Sequence, residues 1–481
     1  MALRLSHSRC RVVKLLIEMT RRRAGLVAAA LIGLGVAGSL AYWPGLMIYD
    51  SIRQYAQALS GKFDDWHPPA MEWIWRLWTV VWKGPAPMLL MQLALFAAGL
   101  GFFVRWALER GQRRQAVALA ACALMPLSVA LMGEVIKDSL MDAVLVCGAG
   151  LWIGAEPGSR WRKGAAAALI VAAATLRFNA FLASAPLLIG LAPAGWRDRP
   201  LKLAGLSLTA CMGLMAVMPV ANRLLGAEKS GVEYSLTIFD LGGISYHSGK
   251  NAFPPLGVAH PAAVNRRCYT PEDWNIYAEW SERPCRIHFD LVKNAFEHRH
   301  LSEHGWWLRA IASHPFAYTA HRLAHWNFNA AFLVHRDPWS GHSDTDRAVQ
   351  IESAPNHWNF KVPQTAMVRW VDRLARWSAH TPLGWPACWM ALAFGLVVLS
   401  PCLPSGRWVR PLALSALLYG LGYAVFSVAA LERYHLWTMT AAALAAAIAL
   451  TDPVDWRVIG RPRRPISTMA TFQAVEPKFV A

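Results

Sequence analysis

Charged residues are scarce in this chain of 481 residues. They make up 16% of the sequence, whereas hydrophobic residues make up 55% and recur in long runs. Soluble globular domains carry about a quarter charged residues. The composition therefore excludes a soluble core and indicates an integral membrane protein.

Acidic residues are scarcer than basic ones. The chain has 30 Asp and Glu against 48 Lys and Arg, which gives a net charge of +18. Such an excess can indicate nucleic-acid binding, but here the basic residues concentrate in short loops between apolar runs. Loops of that kind orient membrane helices with their charge on the cytoplasmic side. We therefore expect membrane lipids, and no nucleic acid, as partners.

Two catalytic motifs are missing from the sequence. It contains no Walker-type nucleotide loop and no Gly-x-Ser-x-Gly nucleophile elbow. The first absence argues against a nucleotide-driven pump. A substrate that reacts at the outer face of a membrane must then carry its own activation, and a lipid phosphate supplies it.

The apolar runs predict about ten membrane spans, each near the length that a hydrocarbon core roughly 30 Å thick requires. The first run follows three arginines and lacks a small-residue cleavage site before polar sequence, so we interpret it as a retained helix rather than a signal peptide. The predicted fold class is an all-α polytopic membrane protein. Its spans are placed at 24–44, 86–107, 115–133, 139–155, 164–176, 179–195, 203–224, 383–403, 411–431 and 436–451.

Loop charge orients the ten spans, because the basic loops all fall on one side and both termini are then cytoplasmic. We expect a multi-pass protein of the bacterial cytoplasmic membrane whose site faces the periplasm. Four parts are predicted: an N-terminal transmembrane module at 1–224 with its first outer loop at 45–85, a periplasmic lid domain at 225–382, C-terminal transmembrane helices at 383–455, and a cytoplasmic tail at 456–481.

The predicted outer domain lies between spans seven and eight and reads as mostly helical. Helical stretches are expected at 286–300, 303–313 and 315–331, and a turn at Gly242-Gly243. Cys268 and Cys285 are the two cysteines of this domain. An oxidising compartment favours a disulfide between them, and closing such a loop is worth about 3 kcal/mol.

Two imidazoles of the outer domain are candidate metal ligands. His300 and His304 are four residues apart, which on a helix brings both to one face and allows a shared ion. Leu301 stands where a zinc hydrolase has its Glu, and a solvated helix face is the alternative interpretation. No cofactor is required by any motif, and a divalent metal remains an option.

Polar residues gather at four helix junctions that the span count places on the outer face. Cationic side chains at such junctions often only extend to the lipid headgroups. Acidic side chains gain no attraction from the headgroups, so an acid at a junction more often indicates a functional residue. The four junctions are expected to share one cleft. They are Asp50 to His67, Glu134 to Asp138, Arg177 to Asn179, and Glu432 to His435.

The order of these features resembles a known superfamily. One cytoplasmic-start helix, an outer loop with the early Asp50, and a Gly61-x-x-x-Asp65-x-His67-Pro-Pro turn look like the GT-C membrane glycosyltransferases. The chain is most similar to the branch of protein O-mannosyltransferases and lipid A aminoarabinose transferases, which use polyprenyl-phosphate-linked sugars. It departs from many relatives in carrying its soluble region between spans seven and eight, which puts the acceptor class in doubt.

The resemblance implies an inverting glycosyltransferase that moves a sugar from a polyprenyl-phosphate donor to a glycan, lipid or protein acceptor. Asp50 would be the base or would orient the acceptor, with Asp65 and His67 as further catalytic candidates. The donor phosphate would lie on Lys137, Arg177 and Arg433. Further substrate contacts would come from Gln54, Asp64, Glu134, Asp138, Asn179 and Tyr434.

Three alternatives belong to other classes. An O-antigen polymerase or ligase would use a diphosphate-linked glycan and depend on Arg and His more than on an early Asp. A polytopic lipid or sugar transporter would place charged residues within broken spans, often in repeated halves, and no internal repeat is visible. A membrane scaffold would tolerate loss of Asp50.

Overall fold

The computed structural model describes residues 2–155, 159–278, 285–333 and 352–456, with residues 2–17 described as helical backbone alone. Within these ranges the chain is built from helices, and its β pairing is limited to isolated bridges. The predicted all-α class is confirmed. The predicted tail at 456–481 lies outside the described residues apart from Trp456.

The described residues of the first half of the chain form eleven α-helices, several of them apolar along their whole length. They are α1 (Ala2–Leu40), α2 (Tyr49–Ser60), α3 (Ala70–Thr79), α4 (Ala86–Glu109), α5 (Arg113–Ala121), α6 (Pro126–Leu131), α7 (Lys137–Ile153), α8 (Arg160–Ala173), α9 (Ala180–Leu191), α10 (Ala194–Arg197) and α11 (Pro200–Leu224).

The second half continues with shorter amphipathic helices and then returns to apolar ones. A single-turn 3-10 helix at Glu432–His435 precedes the last helix. The described helices are α12 (Glu233–Ser248), α13 (Pro261–Cys268), α14 (Phe289–His298), α15 (Glu303–Ser313), α16 (Pro315–Ala330), α17 (Ala366–Ala379), α18 (Pro386–Leu399), α19 (Gly406–Phe426) and α20 (Leu436–Ala449).

Four described helices are long and apolar enough to cross a membrane, and they coincide with the first, second, seventh and ninth predicted spans. Helices at the other predicted positions are shorter, so the count of ten stays a prediction. The four are Glu18–Leu40, Ala86–Glu109, Pro200–Leu224 and Gly406–Phe426.

The third predicted span is broken rather than continuous. Helix α5 ends at Ala121, one 3-10 turn follows, and α6 begins at Pro126. Proline disfavours helical geometry in the residue before it, and Met125 is extended with φ −60° and ψ 119°. The run at 115–133 is therefore two half-helices joined by a kink.

Helices α4 and α7 pack closely against each other in the apolar bundle. A Cβ atom at Gly99 would lie 2.6 Å from the carbonyl carbon of Val146, and one at Gly150 would lie 2.4 Å from the carbonyl oxygen of Gly99. Glycine on both helices therefore lets the two backbones touch, which is a common way of packing membrane helices.

The predicted outer domain contains an apolar core of its own, built mainly on α12. Gly242 and Gly243, predicted as a turn, lie inside this helix because their missing side chains leave room for two neighbours. Cβ atoms there would lie 2.4 Å from the Tyr277 hydroxyl and 2.1 Å from the His321 ring. The structure joins Cys268 to Cys285 in a disulfide with a Cα–Cα distance of 5.7 Å.

Helices α14, α15 and α16 lie where the sequence predicts helices, but the two candidate metal ligands do not share one. Helix α14 ends at His298, and His300 adopts a left-handed conformation with φ 50°. His304 lies in the first turn of α15 and bonds to Glu303 at 2.8 Å. The expected common helix face for His300 and His304 is therefore wrong.

Candidate functional site

A short backbone pairing brings the start of α2 beside the start of α7. The amide of Leu46 donates to the carbonyl of Gly133 at 3.0 Å, and the amide of Val135 donates to Leu46 at 2.9 Å. Each strand-like segment leads directly into a helix, so Asp50 and Lys137 both fall in first helical turns at one end of the bundle.

Asp50 lies at the centre of a cluster of charged and polar side chains. One carboxylate oxygen accepts a hydrogen bond from Arg433 at 3.0 Å and lies 3.8 Å from the Lys137 ammonium. The other oxygen lies 3.7 Å from Nε2 of His67. Lys137 also hydrogen-bonds to Nδ1 of His67. Residues distant in sequence thus meet on one carboxylate.

A second ion pair borders this cluster. Arg177, in the loop between α8 and α9, pairs with Asp138; the Asp138 side chain is buried, and that of Arg177 is largely enclosed. The guanidinium of Arg177 stacks on Tyr434, 4.3 Å from the ring centroid. Tyr434 in turn lies parallel to Tyr423 at 5.4 Å. The aromatic rings and Asp138 together fix the position of this arginine.

We call Asp50, Lys137, Asp138, Arg177 and Arg433 the basic cleft. The three cationic side chains are 10–14% exposed. Their close contacts within the cluster include two carboxylates, Asp50 and Asp138, so three positive charges face two negative ones. These five side chains carry a net charge of +1.

Two flanking groups, His67 and Glu72, add no charge at neutral pH. Burial, followed by the positive charge of Lys137, lowers the pKa of His67 to about 3, so its imidazole is neutral. Burial raises the pKa of Glu72 to about 8, although Gln54 donates to its carboxyl group at 3.0 Å. Glu72 is therefore mainly protonated at pH 7.

Asp50 itself stays ionised. Burial alone would raise its pKa, but the neighbouring cations, led by Arg433, hold the pKa of Asp50 well below its ordinary value. A carboxylate this acidic is a poor proton acceptor. Asp50 is better suited to balance Arg433 and Lys137 than to act as a base.

Two predicted site residues, Asp64 and Asp65, bond to partners outside the basic cleft, and a third, Glu134, lies in the backbone pairing. Asp64 bonds to Arg53 at 2.6 Å and to Gln57 at 2.9 Å. Asp65 accepts two bonds of 2.7 Å from the amide and hydroxyl of Ser230, which ties the loop to the outer domain. Glu134 is buried in the Leu46 pairing, and its carbonyl accepts from Gln92.

Asn179 and the two candidate metal ligands, His300 and His304, are the remaining predicted site residues. Asn179 is buried directly before α9, two residues after Arg177. Among the described residues, no group of three or more His, Cys, Asp or Glu side chains is arranged to hold a metal ion.

Two neighbours of the basic cleft were missed by the sequence reasoning. Tyr423 supports the Arg177 stack from the middle of an apolar run, where a tyrosine gives little signal. Asp142 lies fully buried in α7, one turn beyond Asp138. A lone acid inside an apolar run was a signal that could have identified it.

The fold and the site define the class: an all-α membrane protein with a buried basic cleft at one end of its helical bundle. A UPF0324 membrane protein of Caulobacter vibrioides is 31% identical over 194 residues, which cover 38% of this chain. The match spans 40% of that protein's length. No family model matches the chain. No solved structure matches it either.

This comparison overturns the expected membership in the GT-C glycosyltransferases. The relative found is described as a membrane protein of another family, and its name carries no sugar-transfer activity. The resemblance depended on short motifs whose residues have local roles here. Asp65 of the His-Pro-Pro turn, for example, accepts a hydrogen bond from the Ser230 hydroxyl. The resemblance is therefore wrong.

Proposed function

We propose that this chain is a polytopic membrane transporter that binds an anionic, phosphate-bearing lipid at the basic cleft. The supporting observation is the burial of three cations against two carboxylates. An uncompensated charge away from water is costly, and a bound anion offsets that cost. A phosphate suits two guanidinium groups and an ammonium, because its oxygens accept several charge-assisted hydrogen bonds.

An apolar tail on the substrate fits the surroundings of the basic cleft. Helix α2, which carries Asp50, packs on α3 through Tyr55 and Trp75 at 5.0 Å. Helix α3 also exposes Trp73 and Trp78, as expected of a helix at a membrane surface. A lipid could therefore place its headgroup in the cleft and keep its chain in the bilayer. A polyprenyl-phosphate-linked sugar is one lipid of this class.

Two further features favour a transporter over an enzyme. The chain breaks a helix at Met125–Pro126 and buries the acid Asp142 inside α7, and both features are typical of transporters. Group transfer to a hydroxyl needs a proton acceptor, and the low pKa of Asp50 gives it little basicity.

The proposed orientation places the basic cleft on the periplasmic side of the bacterial cytoplasmic membrane. It follows from the basic loops, which hold the other side in the cytoplasm. The disulfide of the outer domain agrees with an oxidising compartment.

The experiment measures lipid movement in vesicles containing the purified protein. A fluorescent polyprenyl phosphate should cross the bilayer faster than a fluorescent phosphatidylcholine, because the latter headgroup has no net charge. Arg433→Gln and Lys137→Gln should each slow the polyprenyl phosphate about tenfold or more, since each removes a charge-assisted hydrogen bond.

Arg105→Gln is the matched control. Arg105 is an exposed arginine that pairs with Glu109 at 2.6 Å near the opposite end of α4, so its loss should leave the rate unchanged. Equal rates for the two lipids, or equal effects of Arg433→Gln and Arg105→Gln, would overturn the proposal.

A further inference from the structure

Asp142 is an acid enclosed by the helical bundle and not used by the basic cleft. It lies in the second turn of α7 and is 0% exposed. Residues four apart on a helix share a face, so Asp142 lies one turn, about 6 Å, deeper than Asp138. Thr440 of α20 is the polar side chain that faces it.

No cation balances Asp142 among the described residues. Neither of its carboxyl oxygens makes a hydrogen bond of ordinary geometry. Helices α9 and α20, which pack against α7, contain no Asp, Glu, Lys, Arg or His. A charged carboxylate in such a place is costly, so the protonated form suits the structure described here.

The charged groups of the other packed helices lie elsewhere. Arg105 and Glu109 of α4 and Arg162 of α8 gather around Gly154, at the far end of α7. The basic residues Arg160 and Lys163 also lie in the first turn of α8, at that end.

Two more elements border this level of the bundle. Tyr419 of α19 is a titratable group that interacts with Asp142, whereas the basic residues Arg407 and Arg410 lie in the first turns of α19. In the 3-10 turn at Glu432–His435, Arg433 bonds to Asp50 and His435 bonds to Asn329, while Glu432 is buried.

A line of aromatic side chains connects Asp142 with the basic cleft. The hydroxyl of Tyr423 donates to that of Tyr419 at 2.7 Å. Tyr423 stacks on Tyr434, and the guanidinium of Arg177 lies over the Tyr434 ring. Because Tyr419 also interacts with Asp142, this line of side chains runs from Asp142 to Arg177.

We propose that Asp142 is a proton-binding site that couples proton movement to movement of the anionic substrate. This inference rests on the proposed transport function. With Asp142 protonated, the five side chains of the basic cleft and Asp142 carry +1 and attract an anion. With Asp142 ionised, the sum is zero and the attraction is lost. Because linkage is reciprocal, the anion must in turn favour the proton, and the two cross together.

One transport cycle moves one proton together with one lipid. A proton binds the Asp142 carboxylate while a phosphate headgroup binds the cations. Both are released on the other side of the membrane, and no bond in the substrate is formed or broken.

The test uses vesicles with a pH difference across the bilayer and a fluorescent polyprenyl phosphate. The wild-type protein should move the lipid faster when the side holding the lipid is acidic. Asp142→Asn, which keeps the shape of the side chain, should move it at one rate whatever the pH difference. Asp198→Asn, an exposed acid in a loop, should behave like the wild type.

A second measurement examines the carboxyl group without any transport. The infrared spectrum of the wild-type protein at neutral pH should contain the carbonyl band of a protonated buried carboxyl. This band should be lost on raising the pH and reduced in Asp142→Asn but not in Asp198→Asn. A spectrum unchanged by Asp142→Asn would overturn the proton site.

The outcomes separate the two proposals. If the rate of lipid movement by the wild-type protein does not depend on the pH difference, the coupling is overturned but the transport function is not. No selective movement of the phosphate lipid overturns transport and the coupling together, even where the infrared band is present.

Discussion

Asp50 contacts two cations and one neutral imidazole, and its side chain is 29% exposed. If it serves as a counter-ion, Asp50→Asn should raise the affinity for a phosphate lipid by removing a competing negative charge. The same change should lower the free energy of unfolding by about 2 kcal/mol, between the values for exposed and buried ion pairs. Lipid titration followed by tryptophan fluorescence and chemical unfolding in detergent measure the two effects.

Asp64→Asn is the control for that variant. Asp64 is 23% exposed and pairs with Arg53 of α2, outside the basic cleft. It should leave lipid affinity unchanged. Weaker binding in Asp50→Asn would show that the carboxylate contacts the substrate directly, and would contradict the counter-ion role.

His67 makes stability depend on pH in a definite direction. Its pKa is about 3 in the folded protein and about 6.5 when unfolded, so between these values the unfolded chain binds the extra proton. Stability is therefore lost as the pH falls from 6.5 towards 3. Between pH 7 and pH 5 the contribution of His67 to this loss is about 2 kcal/mol.

The comparison with His67→Gln isolates that contribution. Glutamine can still accept a hydrogen bond from Lys137 but does not titrate. His325, whose pKa burial also lowers to about 3, is present in both proteins and cancels. Unfolding in detergent at pH 7 and pH 5 should show a smaller loss for His67→Gln, and equal losses would refute a neutral His67.

The sequence could predict which residues gather at the site better than it could predict their pairing. Asp50, Lys137, Arg177 and Arg433 were expected in one cleft, and the structure brings them together. The charge of the loops predicts this grouping, because it assigns each helix junction to one side of the membrane. The pairing of Arg433 with Asp50, 383 residues away, depends on how the helices pack and leaves no local pattern.

At the scale of helices, the contact between α4 and α7 depends on glycine. Gly99→Ala should lower the thermal midpoint by several degrees, since its methyl group would meet the α7 backbone at 2.6 Å. Gly101→Ala on the same helix meets nothing within 4 Å and should be neutral or stabilising by up to about 1 kcal/mol. Thermal unfolding in one detergent measures both variants, and equal midpoints would contradict the close packing.

Helix positions followed from the sequence more reliably than helix continuity. Helices α14 to α16 start and end within a few residues of the predicted stretches, because turn residues and apolar spacing mark them. The break at Met125 and the helical Gly242-Gly243 were missed. The apolar run at 115–133 continues through Pro126, so apolarity alone predicted one span, and the glycine pair predicted a turn where it instead provides space for Tyr277 and His321.

For the whole molecule, the disulfide determines how many free thiols the chain has, and this number can be measured. The chain has eight cysteines, and the pairing of Cys268 with Cys285 leaves six. Denatured protein that has not been reduced should therefore take up six maleimide groups, and reduced protein eight. Mass spectrometry of the intact chain gives both numbers.

Cys268→Ser is the matching variant for this count. It frees Cys285 and removes one thiol, so it should take up seven groups with or without reductant. Eight groups on unreduced wild-type protein would contradict the disulfide and remove one reason for placing the outer domain in the periplasm.

The stacking of Arg177 on Tyr434 has a consequence for the choice of anion. A guanidinium held by its face offers its remaining N–H groups only in one plane, at a spacing that matches two oxygens of one oxyanion. A round ion such as chloride has one centre to share between these N–H groups, whereas an oxyanion offers each of them its own oxygen. The basic cleft would thus sort anions by shape as well as by charge, with oxyanions favoured over halides.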